Sequence, residues 1–99
     1  VVDVHAFTLD SGGKEGETCH VRNFAPLYDI DEEAATGTSN GALTYYGYLN
    51  GFIKAGDDCC FVQGEKMGRP SEIRSHIDAG CSVKVGGNAV ILAEGEIYI

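Results

Sequence analysis

Apolar and polar positions divide the chain into short strand-like stretches around a single stretch of helical spacing. Residues 2–9 are rich in strand formers, and Asp10-Ser11-Gly12-Gly13 ends them with turn chemistry. Residues 18–24 predict a second strand, stopped by Pro26, which lacks an N–H donor and restricts Ala25. An acidic loop follows, carrying Asp29, Asp31, Glu32 and Glu33. Over residues 38–50 the period changes: Ala42, Tyr45, Tyr46, Leu49, Phe52 and Ile53 recur at three- and four-residue intervals, and Gly51 supplies a C-terminal stop. Leu43, Tyr46 and Tyr48 leave this helix few polar positions, while Gly41 and Gly47 each cost it about 1 kcal/mol relative to alanine. Such a helix, with glycines that permit close backbone approach, is expected to be buried with strands on more than one side. Residues 59–63 form a short apolar run and residues 72–78 alternate with period two. Cys81, Val83 and Val85 share a face, Gly86-Gly87-Asn88 turns the chain, and residues 89–93 and 96–99 continue an antiparallel meander. The predicted architecture is α+β, a largely antiparallel sheet around one central helix.

Length and charge narrow the function. Ninety-nine residues suffice for one domain that hides roughly 64% of its unfolded surface. Fifteen acidic against seven basic residues give a formal charge of −8, which repels phosphate backbones and anionic headgroups, so neither nucleic acid nor a membrane is expected as a partner. No apolar run approaches the roughly 18 residues that a spanning helix needs. The four cysteines do not read as a disulfide framework: Cys59 and Cys60 are adjacent and point to opposite faces if they lie in a strand, and no C-x-x-C spacing is present. Reduced thiols in a cytoplasmic protein are expected, with no zinc site from these cysteines and His5, His20 or His76. The opening Val1-Val2-Asp3-Val4 falls inside a strand pattern and reads as a piece of a longer protein.

One segment concentrates candidate chemistry. Asp31-Glu32-Glu33-Ala34-Ala35-Thr36-Gly37-Thr38-Ser39 places carboxylates, a glycine and hydroxyls at a helix N-terminus. Thr36 or Thr38 can cap the helix while the acids offset its dipole. Equally, free N–H groups of Gly37, Thr38 and Ser39 can bind a substrate carboxylate, with Glu33 as a nearby proton carrier. Position alone leaves both open.

Four motifs in order, Arg22-Asn23-Phe24-Ala25-Pro26, Glu32-Glu33-Ala34-Ala35-Thr36-Gly37-Thr38, Gln63-Gly64-Glu65-Lys66-Met67-Gly68-Arg69-Pro70-Ser71 and Val83-Lys84-Val85-Gly86-Gly87, resemble the second half of the PhzF-like (phenazine biosynthesis-like) isomerase and epimerase family. The resemblance implies a diaminopimelate epimerase-like fold: two similar domains, each a barrel-like sheet around a central helix, with the active site between them. It further implies that residues 1–99 are an incomplete C-terminal domain whose principal acid-base group lies in a missing N-terminal portion. Glu33 maps onto the family's acidic residue, and Gly37 and Thr38 onto its substrate-binding groups, with Thr36 and Ser39 beside them. Glu33 stands where the family more often has aspartate, Ala34 where it has proline and Thr38 where it has serine. Thr36 occupies the position at which related racemases carry a catalytic thiol, so a two-thiol mechanism is not available.

The expected function is proton transfer on a small carboxylate-bearing metabolite without a cofactor or metal, the isolated chain being inactive without the missing portion. The competing expectation is a non-catalytic half-domain that binds a small anion or a protein partner, two copies forming a homodimer that imitates the two-domain enzyme.

Overall fold

The computed structural model describes residues 3–10 and 16–99. Part of the turn expected after the first strand therefore lies outside the described residues. Strands β1 (Val4–Thr8), β2 (Cys19–Ala25), β3 (Ile30–Glu33), β4 (Asp58–Gln63), β5 (Ser71–Ile77) and β6 (Val83–Gly87) form one sheet in the order β1-β2-β4-β5-β6. One edge of β2 pairs with β1 and the other is shared, its start pairing with β4 and its end with β3. The β2–β4 pairing is parallel and the others are antiparallel. Between these parallel strands the chain must cross over, and α1 (Gly37–Leu49) lies in that crossover. The acidic segment expected to be loop contributes β3, whose register against β2 shifts between Asn23 and Ala25.

The architecture is mixed α+β, but the sheet is open rather than barrel-like. Among the described residues β1 and β6 are its edges, and α1 lies on one face, against β5 and β6. The stripe of α1 that is buried is Asn40, Leu43, Thr44 and Gly47, whereas Tyr45, Tyr46 and Leu49 are exposed. The helical spacing holds, but the expectation of strands on more than one side does not: α1 packs on the sheet with one stripe, in which Asn40 and Thr44 are buried by hydrogen bonding beside Leu43, while Tyr45, Tyr46 and Leu49 face outward. Leu43 joins Cys19, Val21, Ile53, Cys59, Phe61, Ile73 and Ile77 in the core. Gly47 is where close approach is required: a Cβ there would stand 2.6 Å from Ile53 Cδ1 and 2.7 Å from Phe52 Cε2. Phe52 in turn stacks on Phe7 with ring centroids 5.8 Å apart, and Tyr46 meets both rings edge-on. That trio ties β1 to α1.

The meander stops at β6. The strands expected over 89–93 and 96–99 are absent, and Val90, Ile91, Leu92, Ile97 and Tyr98 are each 79% or more exposed. Alternation alone does not make a strand, which needs a partner edge and an apolar face to cover. The radius of gyration, 15.1 Å against about 13 Å for a compact chain of this length, records the protruding segment.

Two predictions follow from this packing. Gly64 has φ +84°, and a Cβ there would meet the Arg69 carbonyl oxygen at 2.3 Å and that of Ala34 at 2.8 Å. Gly64→Ala is expected to cost about 2–3 kcal/mol, measured by urea unfolding. Cys59 belongs to the core on the α1 side and Cys60 faces the other way, as strand alternation requires. Burial, with the neighbouring Cys59 thiol, pushes Cys19 up to about 11, and burial also raises Cys59 and Cys60. Partly exposed Cys81 should therefore react first with a thiol reagent at neutral pH, and fully buried Cys19 should be among the slowest. All four should react in denaturant, as modification kinetics under both conditions will show.

Candidate functional site

Strand alternation and register set three polar side chains in one row. Asn23, in the middle of β2, is the register partner of His5 on one side and of Glu33 on the other. Three residues beyond Glu33 stands Thr36, the residue before α1, in extended conformation as an N-cap should be. Its side chain makes no capping bond, however. The Thr36 hydroxyl donates instead to Glu33 Oε2 at 3.1 Å.

Gln63, at the end of β4, explains why. The Thr36 backbone N–H donates to Gln63 Oε1 at 3.1 Å, which fixes the amide's orientation from the main chain. Gln63 Nε2 must then face the other way, and it donates to the Glu33 carbonyl at 2.9 Å and to Thr36 Oγ1 at 2.8 Å. With its oxygen accepting from Gln63, the Thr36 hydroxyl has its own proton left for the Glu33 carboxylate. Asn40, one turn into α1, donates through Nδ2 to Gln63 Oε1 at 2.9 Å and to the Thr36 carbonyl at 2.8 Å. Its Oδ1 is thereby turned toward His5 Nε2, 2.9 Å away. An amide oxygen can only accept, so His5 carries a proton on Nε2. Ser71 completes the frame by donating to the Ala34 carbonyl at 2.6 Å. Gln63, Asn40 and Asn23 are all fully buried, and the Asn40–Gln63 bond at the centre of the frame is shielded from competing water.

On its other nitrogen His5 meets Asn23 Oδ1 at 2.8 Å, and Asn23 Nδ2 is the one buried side-chain polar atom without a partner among the described residues. Rotating that amide by 180° would present the orphan donor to a neutral Nδ1. The present orientation suits a doubly protonated ring, the rotated one a neutral ring.

The residues singled out from sequence are neighbours with different surroundings. Glu33 and Thr36 are half-buried and bonded to each other, Gly37 and Thr38 are exposed at the start of α1, and Ser39 is half-buried. Ser39 lines a cavity of about 570 Å³ together with His5, Phe7, Leu43 and Tyr46, whose walls do not include Glu33, Thr36, Gly37 or Thr38. The first N–H groups of a helix have no partner within it, and with Thr36 engaged by Glu33 and no acidic residue in the first turn, those of Gly37, Thr38 and Ser39 keep their capacity for an acceptor. The acidic cluster is less repulsive than its sequence suggests. Glu32 is turned to Arg22, which grips it at 2.7 and 3.2 Å and holds its carboxyl below the usual range. In the sequence His5 stands out only as a rejected zinc ligand, and Asn40 does not stand out at all. Only the four-residue spacing from Thr36 to Asn40 could have signalled the latter.

His20 is a different kind of group. Glu65 at 2.5 Å and Glu17 at 2.6 Å occupy both ring nitrogens, and the Glu65 bond foremost raises its pKa against the lowering effect of burial. Bonded on both sides, the ring is an electrostatic clip between the start of β2 and the turn after β4.

Gln63 provides the test of this frame. Gln63→Leu leaves the Thr36 N–H and the Asn40 amide without an acceptor and should cost at least about 3 kcal/mol. Gln63→Glu keeps the acceptor but sets a carboxylate oxygen against the Glu33 carbonyl. Its folded-state pKa is raised, so the variant should be unstable at neutral pH and regain stability as the carboxyl is protonated. Unfolding midpoints between pH 4 and 8 will show whether that recovery occurs.

Comparison with known proteins places this geometry in a family. Residues 3–95 match the family described as "Phenazine biosynthesis-like protein". The chain is 30% identical over 99 residues to trans-2,3-dihydro-3-hydroxyanthranilate isomerase of Pseudomonas chlororaphis, an alignment covering 96% of this chain and 36% of the relative. It is 33% identical over 88 residues to an uncharacterized isomerase of Clostridium acetobutylicum, covering 81% of this chain and 29% of the relative. Among solved structures, a predicted epimerase from Pseudomonas aeruginosa superposes with a TM-score of 0.65 at 26% identity, over 92% of this chain and 32% of that one. The chain thus spans about a third of the length of the relatives it matches. By residues 3–95 it belongs to the phenazine biosynthesis-like family, among whose members are proteins named as isomerases and epimerases.

Proposed function

We propose that this chain is the C-terminal part of an isomerase or epimerase that moves a proton on a small carboxylate-bearing metabolite, in an active site shared with an N-terminal portion of the same enzyme. The observation that carries the proposal is the Thr36–Glu33 hydrogen bond at an uncapped helix start. A capping threonine would have closed the end of α1, whereas here the hydroxyl serves the carboxylate and the Gly37, Thr38 and Ser39 amides are left for a ligand. In this reading those amides and the helix dipole bind the substrate carboxylate. Glu33, with Oε2 accepting from Thr36, uses Oε1 to take a proton from the substrate carbon or return one. The second acid-base group comes from the missing portion, which also closes the open sheet toward a barrel and covers the apolar outer face of α1. No cofactor has a part in this chemistry, and the buried thiols suit a reducing, cytoplasmic setting. The trans-2,3-dihydro-3-hydroxyanthranilate isomerases among the relatives make a cyclic amino acid the first substrate class to try.

The test uses the full-length enzyme. Glu33→Gln should lower kcat by about 100-fold or more, the scale of general acid–base catalysis, with a melting temperature within a few degrees of the parent. Gly37→Val should raise KM by obstructing approach to the amides. Normal turnover with Glu33→Gln would reduce the segment to helix punctuation, and the 99-residue chain alone should be inactive.

A further inference from the structure

The hydrogen bonds around Gln63 have a direction. His5 Nε2–H donates to Asn40, Asn40 Nδ2–H to Gln63, Gln63 Nε2–H to the Thr36 hydroxyl, and that hydroxyl to Glu33 Oε2. While Glu33 is ionised, no link can reverse. The Thr36 N–H and the Glu33 carbonyl fix the Gln63 amide from the backbone, and each later orientation is forced by the one before it. Four bonds of 2.8–3.1 Å thus run from a ring at the wall of the 570 Å³ cavity to the carboxylate at the start of α1.

We propose that His5 is a positioning residue for Glu33, acting through the Asn40–Gln63–Thr36 relay: its N–H polarises the aligned bonds that end at Oε2 and so strengthens the bond that the Thr36 hydroxyl donates to the carboxylate. The proposal rests on the reading of Glu33 as a proton carrier but is measured without reference to turnover. Hydrogen bonds aligned donor to acceptor polarise one another, and a bond donated to a carboxylate favours its charged state. Removing the first donor leaves Asn40 Oδ1 without its partner and takes away the polarisation passed along the aligned bonds, while the backbone still holds the Gln63 and Asn40 amides in place. The other groups near this row do not substitute for the relay. Asn23 is neutral and bonds to His5, Glu32 is engaged by Arg22, Asp31 is exposed on the strand of Glu33 itself, Asp3 lies at the far end of the row beside His5, and the first turn of α1 holds no acid.

The decisive measurement is the Glu33 carboxyl titration, followed by carbon-13 NMR in the 99-residue chain and its variants. Thr36→Val, which removes the last donor, should move the Glu33 titration upward by the largest amount of the series. His5→Leu should raise it in the same direction by a smaller amount, His5→Gln, which restores a donor at the Nε2 position, should return it toward the parent value, and His5→Leu added to Thr36→Val should shift it no further. Thr44→Ser, beside Asn40 but outside the relay, should leave it unchanged. A Glu33 pKa that is the same in His5→Leu as in the parent overturns the proposal, as does a full additive shift in the double variant. Should His5→Leu fail to fold, nitrogen-15 NMR of the unaltered chain decides: a neutral His5 protonated on Nδ1 alone contradicts the relay, and a proton on Nε2 whose shift inflects at the Glu33 pKa supports it. If Glu33→Gln leaves turnover of the full enzyme normal while these shifts appear, the catalytic reading fails and the relay stands.

Discussion

Everything near the start of α1 depends on one amide. Gln63 accepts from the Thr36 N–H and Asn40, and donates to the Glu33 carbonyl and the Thr36 hydroxyl, so its four hydrogen-bonding positions are used inside a fully buried site. A partly satisfied buried amide is costly, whereas a fully satisfied one is specific, because no other side chain of that length offers two donors and two acceptors in one plane. The amide joins three elements: the end of β4, the end of β3 and the first turn of α1. Gly64 follows from the same constraint, since the chain must turn away from β4 against the Ala34 and Arg69 carbonyls, where a side chain does not fit.

This explains why motifs far apart in the chain occur together. Glu33 to Gly37 and Gln63 to Ser71 are two halves of one hydrogen-bonded frame, with Ser71 and Gln63 each bonded to the segment before the helix. Of the residues quoted in those motifs, Gln63, Gly64 and Ser71 shape the frame, and Glu33, Gly37 and Thr38 are what the frame presents. A carboxylate that accepts from a hydroxyl held in this way stays beside the helix end instead of sampling solvent, which is the preorganisation that proton transfer requires.

The fold was legible in the sequence wherever a local signal decided it. Pro26, the glycine at 51 and the period-two run before Asp78 bracketed β2, α1 and β5 within a residue or two. It was misread where packing decided it. Tyr45, Tyr46 and Leu49 form the conspicuous apolar stripe of α1, yet the stripe that meets the sheet carries Asn40 and Thr44, buried because Gln63 and Ser75 answer them with hydrogen bonds. Hydrophobic periodicity cannot see a polar interior face. For the same reason Glu33 and Thr36 could be named from their neighbours in sequence, while His5, which joins them across thirty intervening residues and through two amides, could not. The strand pattern of residues 89–99 misled in the opposite way, a correct alternation with no edge in the described chain to receive it.

That last segment has a consequence for handling the protein. Residues 88–99 contain no proline, and their two charges, Glu94 and Glu96, follow the uninterrupted run Ala89-Val90-Ile91-Leu92-Ala93. Next to them β6 ends the sheet with an edge that is unpaired among the described residues. A β-prone apolar donor and a vacant acceptor edge on every molecule make a head-to-tail contact that does not close on itself, the geometry of open-ended polymers rather than of discrete oligomers. Such a contact grows with concentration, and Glu94 and Glu96 stand beside the apolar run as the charges that oppose it.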